Sequence, residues 1–414
     1  MTDLPKDLVN LSDELTTGER VRIIRERRGL SRPVLAGLVG RSPDWLKKIE
    51  GGGRELRSLP MLIRLAHVLR VDDLSKLTGD RTAIPVAQWG KLSHASVPAL
   101  RDAIHASFLR RSVYELGSVD ELAGRVRQTW ATWHTSTHQR TEVGAVLPDL
   151  LTACHAAVKS SEGGVRRQAY GAMAEAYALA QQFAAHTTEP ELYWITVDRA
   201  RMAAEESDDP VLLASAAWIV GNGLRDSGHT EEALRLVSEA ASMLRDQLEH
   251  GSDILRGTFG ALCLHAAVTA AKEGREGDAW HWWDEAAATA RKAPAYVHPW
   301  TMFGTGNVAV HAVSIGVDLR TPGAALRQAS NTAPESIPSV ERRSRLFLDA
   351  ARSEYARKEH AGSLHYLRKA VETSPEAVRY VPSGRRLAAD LALHAPATIR
   401  SDAQELASSV GAAA

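Results

Sequence analysis

The chain has 414 residues, and its 50 Lys/Arg are balanced by 50 Asp/Glu to a formal net charge of zero. That length allows two or three domains, and a 44% apolar share with few Phe and Tyr excludes a disordered chain and suits helices built on Ala and Leu. Cys154 and Cys263 are the two cysteines, which excludes a disulfide framework, and with no basic-plus-apolar leader and no apolar run near the ~18 residues of a membrane helix the expected location is cytoplasmic.

Residues 1–16 carry four Asp/Glu against Lys6 without periodic pattern and are expected to form a flexible arm. From Gly18 to Arg70 the charge turns over, with thirteen Lys/Arg against five Asp/Glu. A basic island in a neutral chain points to a polyanionic partner. Four short helices are predicted within it. Gly18 to Arg28 places Val21, Ile24 and Arg28 on a helical period and is closed by Gly29. Ser31 caps a second helix that runs to Val39 and stops at Gly40, and Ser42 caps a third with Pro43 at its first position. Ala36 is the small residue a close helix crossing needs, and Leu35, Leu46 and Ile49 supply the core between the two. Ser58 caps a fourth helix carrying Leu62, Leu65, Ala66 and Leu69. Two helices joined by a short turn containing Gly form the helix-turn-helix arrangement.

The run from Leu30 to Glu50, with Leu-Ala-x-x-Leu at 65–69, resembles the Xre/Cro/CI family of helix-turn-helix repressors over about 17–80. The resemblance implies a lambda-repressor-like head whose third helix enters the major groove of double-stranded DNA. By position it implies that Asp44, Lys47 and Lys48 face DNA, Lys48 towards a guanine acceptor and Asp44 towards a cytosine amine. Ser42 and Trp45 then flank the backbone, and Arg32 holds a phosphate or a flanking base. Arg41, Arg54 and Arg57 add backbone contacts, and the amides of Gly51–Gly53 approach a phosphate. Pro43 stands where the family commonly has a polar residue, which removes one base contact. Glu50 is expected to pair locally. A homodimer on a palindromic operator completes the family picture.

Asp80 to Val97, with Pro85 and Gly90, reads as a linker, and 81–165 as linker and helical connector. Val119 to His138 is an amphipathic helix through Leu122, Val126, Trp130 and Trp133, and Val146–Leu151 starts the next. His134 and His138 stand four apart, but no third ligand lies nearby in sequence and no metal is expected. Further on, a Gly is followed by Ala at five and twelve residues: Gly228, Ala233, Ala240, then Gly274, Ala279, Ala286, 46 residues later, and with substitutions Lys358, Ser363, Ala370. Residues 166–394 resemble the tetratricopeptide-repeat family with lengthened helices, in about five helix pairs, two of them inferred from periodicity around 166–206 and 298–332. Residues 395–414 form a closing helix or tail. The expected fold is all-α: a helix-turn-helix head followed by an α-solenoid. The layout resembles the actinobacterial Xre regulators with helical bodies and, in architecture, the peptide-sensing Rap/Rgg/PlcR/PrgX group.

Stacked repeats leave a concave face lined by the first helix of each pair. In the tetratricopeptide family the residue six before the loop Gly often faces that groove. Here those places hold Asn222, Val268 and Arg352, with Gln182 for the earlier repeat. Trp218, Arg225, His265, Asn307, His311 and Arg345 are further candidates on the same helices. Amide and guanidinium groups there suit the backbone of an extended peptide or a carboxylate. Trp280, Trp282 and Trp283 are expected to pack between repeats with at least one indole partly exposed, and Trp300 with His298 to begin the next helix and join them. No Gly-rich phosphate loop, Ser-centred elbow or metal-spaced Cys/His set stands out, so neither an enzyme nor a cofactor is expected. Two functions remain: a regulator controlled by a peptide or small signal molecule, or a scaffold whose repeats bind a protein partner while the head localises it on DNA.

Overall fold

The computed structural model describes residues 15–53, 56, 59–69, 71, 74–79, 92–106, 117–188 and 190–412. Arm residues 1–14, linker residues 80–91, the Ser58 cap, and Arg54 and Arg57 lie outside the described residues. The chain divides into two compact units, one ending at Gly90 and one beginning at Lys91. No strand occurs among the described residues.

The first unit holds α1 (Thr17–Arg27), α2 (Arg32–Leu38), α3 (Pro43–Glu50), α4 (Leu59–Val68) and the single turn α5 (Ser75–Thr78). The helix start missed in the sequence is Thr16, whose hydroxyl accepts the Glu19 amide while Glu19 reaches back to the Thr16 amide, a reciprocal capping box. Ser31 and Ser42 cap α2 and α3 as expected. Between them Gly40 sits at φ 69° and the Arg41 amide reaches back to the Ala36 carbonyl at 2.8 Å, the bonding of a Schellman turn. Val21, Ile24, Leu35, Ala36, Leu46, Leu62 and Leu65 form one core. Gly18 is required where α1 crosses α3, since a Cβ there would lie 2.0 Å from the Ile49 carbonyl oxygen.

The second unit opens with α6 (Val97–Ala106), α7 (Val119–Thr135) and α8 (Gln139–Ser160). Five pairs follow: α9 (Gly163–Ala184) with α10 (Pro190–Ser207), α11 (Pro210–Asp226) with α12 (Thr230–Arg245), α13 (Asp253–Lys272) with α14 (Glu276–Lys292), α15 (Thr305–Asp318) with α16 (Pro322–Ser330), and α17 (Val340–Ala356) with α18 (His360–Thr373). The chain ends in α19 (Pro375–Arg379), α20 (Pro382–His394) and α21 (Ala397–Ser409). Leu122, Trp130, Leu147 and Phe183 share one core, so α7 and α8 pack with the first pair.

The offsets read from the sequence have a conformational cause. Gly228, Gly274 and Lys358 all lie in the left-handed region, at φ 87°, 73° and 66°, and so does Arg320 at 59°. In each case the next residue bonds back five places: His229 to Leu224, Arg275 to Ala270, Thr321 to Gly316 and Glu359 to Glu354. Five residues after each stands a fully buried small side chain, Ala233, Ala279, Ala325 or Ser363. The turn is one motif used four times, twice without glycine.

Three expectations are corrected. The helix expected to start near Val146 begins at Gln139 and runs through Pro148. Trp300 lies in the turn before α15 and stacks on Trp130 at 6.1 Å, away from the indoles of α14. Those three are half-buried; Trp280 and Trp283 meet edge to face at 5.7 Å, and the Trp283 indole N–H donates to the Val308 carbonyl. Finally, α13 is long and apolar enough to cross a membrane by length and composition, and 89% of that stretch is buried within the body. Glycine, threonine and histidine residues break up the run in the sequence, while burial between repeats explains its apolarity.

The body closes on itself. Glu376 Oε2 accepts the backbone N–H groups of Arg140 at 2.6 Å and Thr141 at 3.2 Å, capping a helix whose own N-cap residue, His138, supplies no side-chain bond. The Ser374 hydroxyl donates to Gln139, and His134 bridges the Trp300 carbonyl at 2.9 Å and the Ser339 hydroxyl at 3.3 Å. The carbonyl can only accept, so His134 donates from Nε2 and accepts at Nδ1.

Two outcomes follow from these local geometries. Lys358→Gly removes a left-handed side-chain penalty of about 1–2 kcal/mol, partly offset by added freedom of the unfolded chain. It should therefore raise urea stability slightly; an unchanged or lower midpoint would remove the strain argument. Burial, then Arg342, lowers His134 from its ordinary 6.5 to about 4. The unfolded chain thus binds this proton first, so stability is present above about 6.5 and is lost as pH falls towards 4, by roughly 3 kcal/mol from this residue. His134→Gln should flatten that slope in thermal melts, and an identical slope would show that His134 is not its source.

Candidate nucleic-acid interface and ligand cavity

On α3, Leu46, Ile49 and Glu50 are buried, while Asp44, Lys47 and Lys48 are exposed. Spacings of three and four place the latter on one outward helical face. Ser42 is committed to its cap, its hydroxyl accepting the Trp45 amide at 3.2 Å. Trp45 is half-buried, and the Arg41 guanidinium lies 5.8 Å from its ring centroid, a cation held on an aromatic face beside the helix start.

Glu50 and Arg32 depart from the sequence reading. The Glu50 carboxylate is buried and takes Arg25 through Nε at 2.6 Å and Nη2 at 3.1 Å, and Arg32 through Nε at 2.9 Å. Glu50 therefore pairs across the fold with α1 and α2. Burial alone would raise its carboxyl, yet the hydrogen bonds from Arg25 and then Arg32 bring it below its ordinary value. Arg32 Nε is turned inwards to this pair, although the side chain remains 37% exposed. The amides of Gly51 and Gly52 are also taken, by the carbonyls of Lys47 and Ile49.

In the body, a cavity of about 210 Å³ is lined by the first helices of all five pairs. α9 supplies Gln181 and Gln182, and the turn after it His186; α11 supplies Trp218, Asn222, Arg225 and Asp226; α13 supplies His265, Val268 and Lys272. α15 adds His311 and Ser314, and α17 adds Glu341, Arg342 and Arg345. Asn307 and Arg352 lie off this lining. The Asn307 amide donates to the Thr301 carbonyl, and Arg352 is paired with Asp349 at 2.9 Å and Asp318 at 3.8 Å. Sequence reasoning missed Ser314, which stands six residues before Arg320 in the register that picks out Asn222 and Val268. The loop glycine that would have revealed it is an arginine. Lys272 and Asp226 lie nearer the loop than that register reaches.

The cavity's charges fall into two groups. Asp349 is fully buried and accepts Arg345, Arg352 and the Ser314 hydroxyl, and Arg342 lies 3.3 Å from Glu341. Arg225, by contrast, donates to the Asn222 amide oxygen at 2.7 Å, while its buried Nε has no partner. Lys272 is an exposed side chain that makes no ion pair with any described residue, and the crowding of its ammonium by protein, followed by the neighbouring Arg225, lowers it to about 8. Burial also holds His265 well below its ordinary value and His311 at about 3, so both are neutral.

Residues 17–75 match the model of the helix-turn-helix domain family. The first unit is thus a helix-turn-helix domain, carried on an all-α, repeat-like body. Among solved structures, the chain is similar to Bacillus thuringiensis PlcR in complex with the peptide PapR7 and DNA, at 11% identity. That likeness covers 85% of this chain and 98% of the other with a TM-score of 0.32, which fixes no residue correspondence. No curated protein matches the chain at a significant level.

Glu50→Gln leaves the buried Arg25 with only the exposed Glu26, 3.1 Å from its Nη2, as counter-charge and should cost the head on the order of 3 kcal/mol. Hydrogen exchange followed by mass spectrometry should show faster exchange in α1–α3 and none of the change in α9–α17. Equal protection in both proteins would show that the pair does not hold the head.

Proposed function

We propose that this chain is a DNA-binding transcription regulator whose helical body senses an effector in the cavity. The observation that carries the first half is the helix-turn-helix match at 17–75 with an outward Asp44, Lys47, Lys48 face on α3. In this reading α3 enters the major groove, Lys48 meets a guanine acceptor and Asp44 a cytosine amine. Arg41 on Trp45, with Ser42, flanks the backbone, and Arg54 and Arg57 add phosphate contacts. Arg32 serves chiefly to hold Glu50 and offers its outer edge to the backbone. The regulator acts in the cytoplasm as a homodimer on a palindromic operator with half-sites about 34 Å apart.

An inward cavity lined from five helices supports a small effector or peptide over a large protein partner, which needs an outer surface of about 800 Å² per side. Effector binding regulates only through a difference in affinity between two arrangements of the body.

The test is anisotropy of the full chain on duplexes selected from a random pool. Lys48→Ala should cost about 1–3 kcal/mol on the selected site and much less on random duplex. Equal losses on both would make Lys48 a phosphate contact, and no salt-sensitive attraction to any duplex would end the regulator reading.

A further inference from the structure

Resting on the reading of the cavity as the effector site, we propose that its ligand is a small organic monocarboxylic acid, held through its carboxylate by Arg225 and Lys272, and not an extended peptide. Size is the first argument. At about 210 Å³ the space, partly open to solvent, falls below the ~300–1,000 Å³ typical of drug-sized ligands, and a peptide of several residues would have to extend out of it.

Charge is the second. Of the four cationic side chains lining the cavity, Arg345 is taken by Asp349 and Arg342 by Glu341. Among the described residues Arg225 and Lys272 have no carboxylate within ion-pair distance, Asp226 and Asp318 acting on them only from further off, and the buried Arg225 Nε has no acceptor. A buried guanidinium donor left unpaired is costly, and a carboxylate oxygen is the acceptor that matches it in charge and geometry. Desolvation and then the neighbouring Arg225 lower the Lys272 ammonium, and an anion between the two cations reverses the second of these effects. His265 and His311 are neutral, so the positive charge of this corner rests on Arg225 and Lys272.

The rest of the wall restricts what the acid carries. Asp226 and Glu341 line the same space, and Glu341 is held ionised against its burial by Arg342 and Arg345, so a second negative charge on the ligand meets repulsion. Trp218, edge to face with His265, offers a flat apolar surface for an aromatic or aliphatic remainder.

The experiment uses the full chain with acetate, benzoate and 3-phenylpropionate, their primary amides, and a heptaalanine peptide with blocked ends. Binding is read by thermal shift and by calorimetry at millimolar ligand. Benzoate and 3-phenylpropionate should stabilise the body, with the amides at least about tenfold weaker, the worth of a charge-assisted hydrogen bond. Arg225→Gln and Lys272→Met should each lose a similar factor for the acids, and Arg225→Lys should keep part of it. Lys272, in the last turn of α13, is the safer variant for folding, and melts of the unliganded variants identify any that fail to fold. Equal binding of acids and amides, binding by the peptide alone, or no response to the whole acid series overturns the proposal. Acid binding that leaves the wild-type DNA affinity unchanged supports the carboxylate site while removing its effector role, whereas loss of all DNA binding bears only on the head.

Discussion

The architecture of the body depends on a carboxylate supplied from far along the chain. Glu376 accepts the first amides of α8, over 200 residues upstream, at the positive end of that helix dipole. A cap of this kind contributes about 0.5–2 kcal/mol, modest in itself, but it joins the first helices of the body to the last. His134 and Ser374 add bonds along the same seam. An open solenoid offers a long concave groove. Closing this one turns the inner face into a polar pocket that is still partly open to solvent, and the range of ligands narrows accordingly.

Both units use the same electrostatic device. In the head, buried Glu50 commits Arg25 and Arg32; in the body, buried Asp349 commits Arg345 and Arg352. A buried carboxylate is tolerated because two guanidiniums pay back its desolvation, and each arginine so used is removed from the set available to a partner. Composition alone cannot make this distinction, since the head's thirteen cationic residues look equivalent when counted. After the buried pairs are assigned, Lys47 and Lys48 stand outward on α3, and Arg225 and Lys272 face the cavity with no carboxylate of a described residue in ion-pair contact, although Asp226 lines the same space. These are the positions where an added negative charge meets least competition.

What the sequence disclosed follows the range of the interactions. Caps, turns and small-residue offsets act within a few residues, so α2, α3 and the repeat register were legible, including Lys358 in a place that favours glycine. The same rule failed at Arg320, where no glycine stands at the turn and Thr332 takes the place of the Ala twelve residues on, and with it Ser314 went unseen. Glu50 with Arg25, and Glu376 with Arg140, join residues whose separation carries no periodic signal. Of the nine body residues singled out beforehand, Gln182, Trp218, Asn222, Arg225, His265, His311 and Arg345 line the cavity. Asn307 and Arg352 share its helices but are spent on bonds the sequence does not announce.

One helix links cavity and seam. Ser339, the N-cap of α17, meets His134 at the closure, and within the next two turns of that helix Glu341, Arg342 and Arg345 line the cavity. Under the proposed function, an anion drawn to Arg225 and Lys272 changes the field at Glu341 and Arg342, two and three residues from the hydroxyl that His134 accepts. Close-packed helices respond to such a change by small rigid shifts. The first turn of α17 is therefore where occupancy of the cavity bears most directly on closure of the ring.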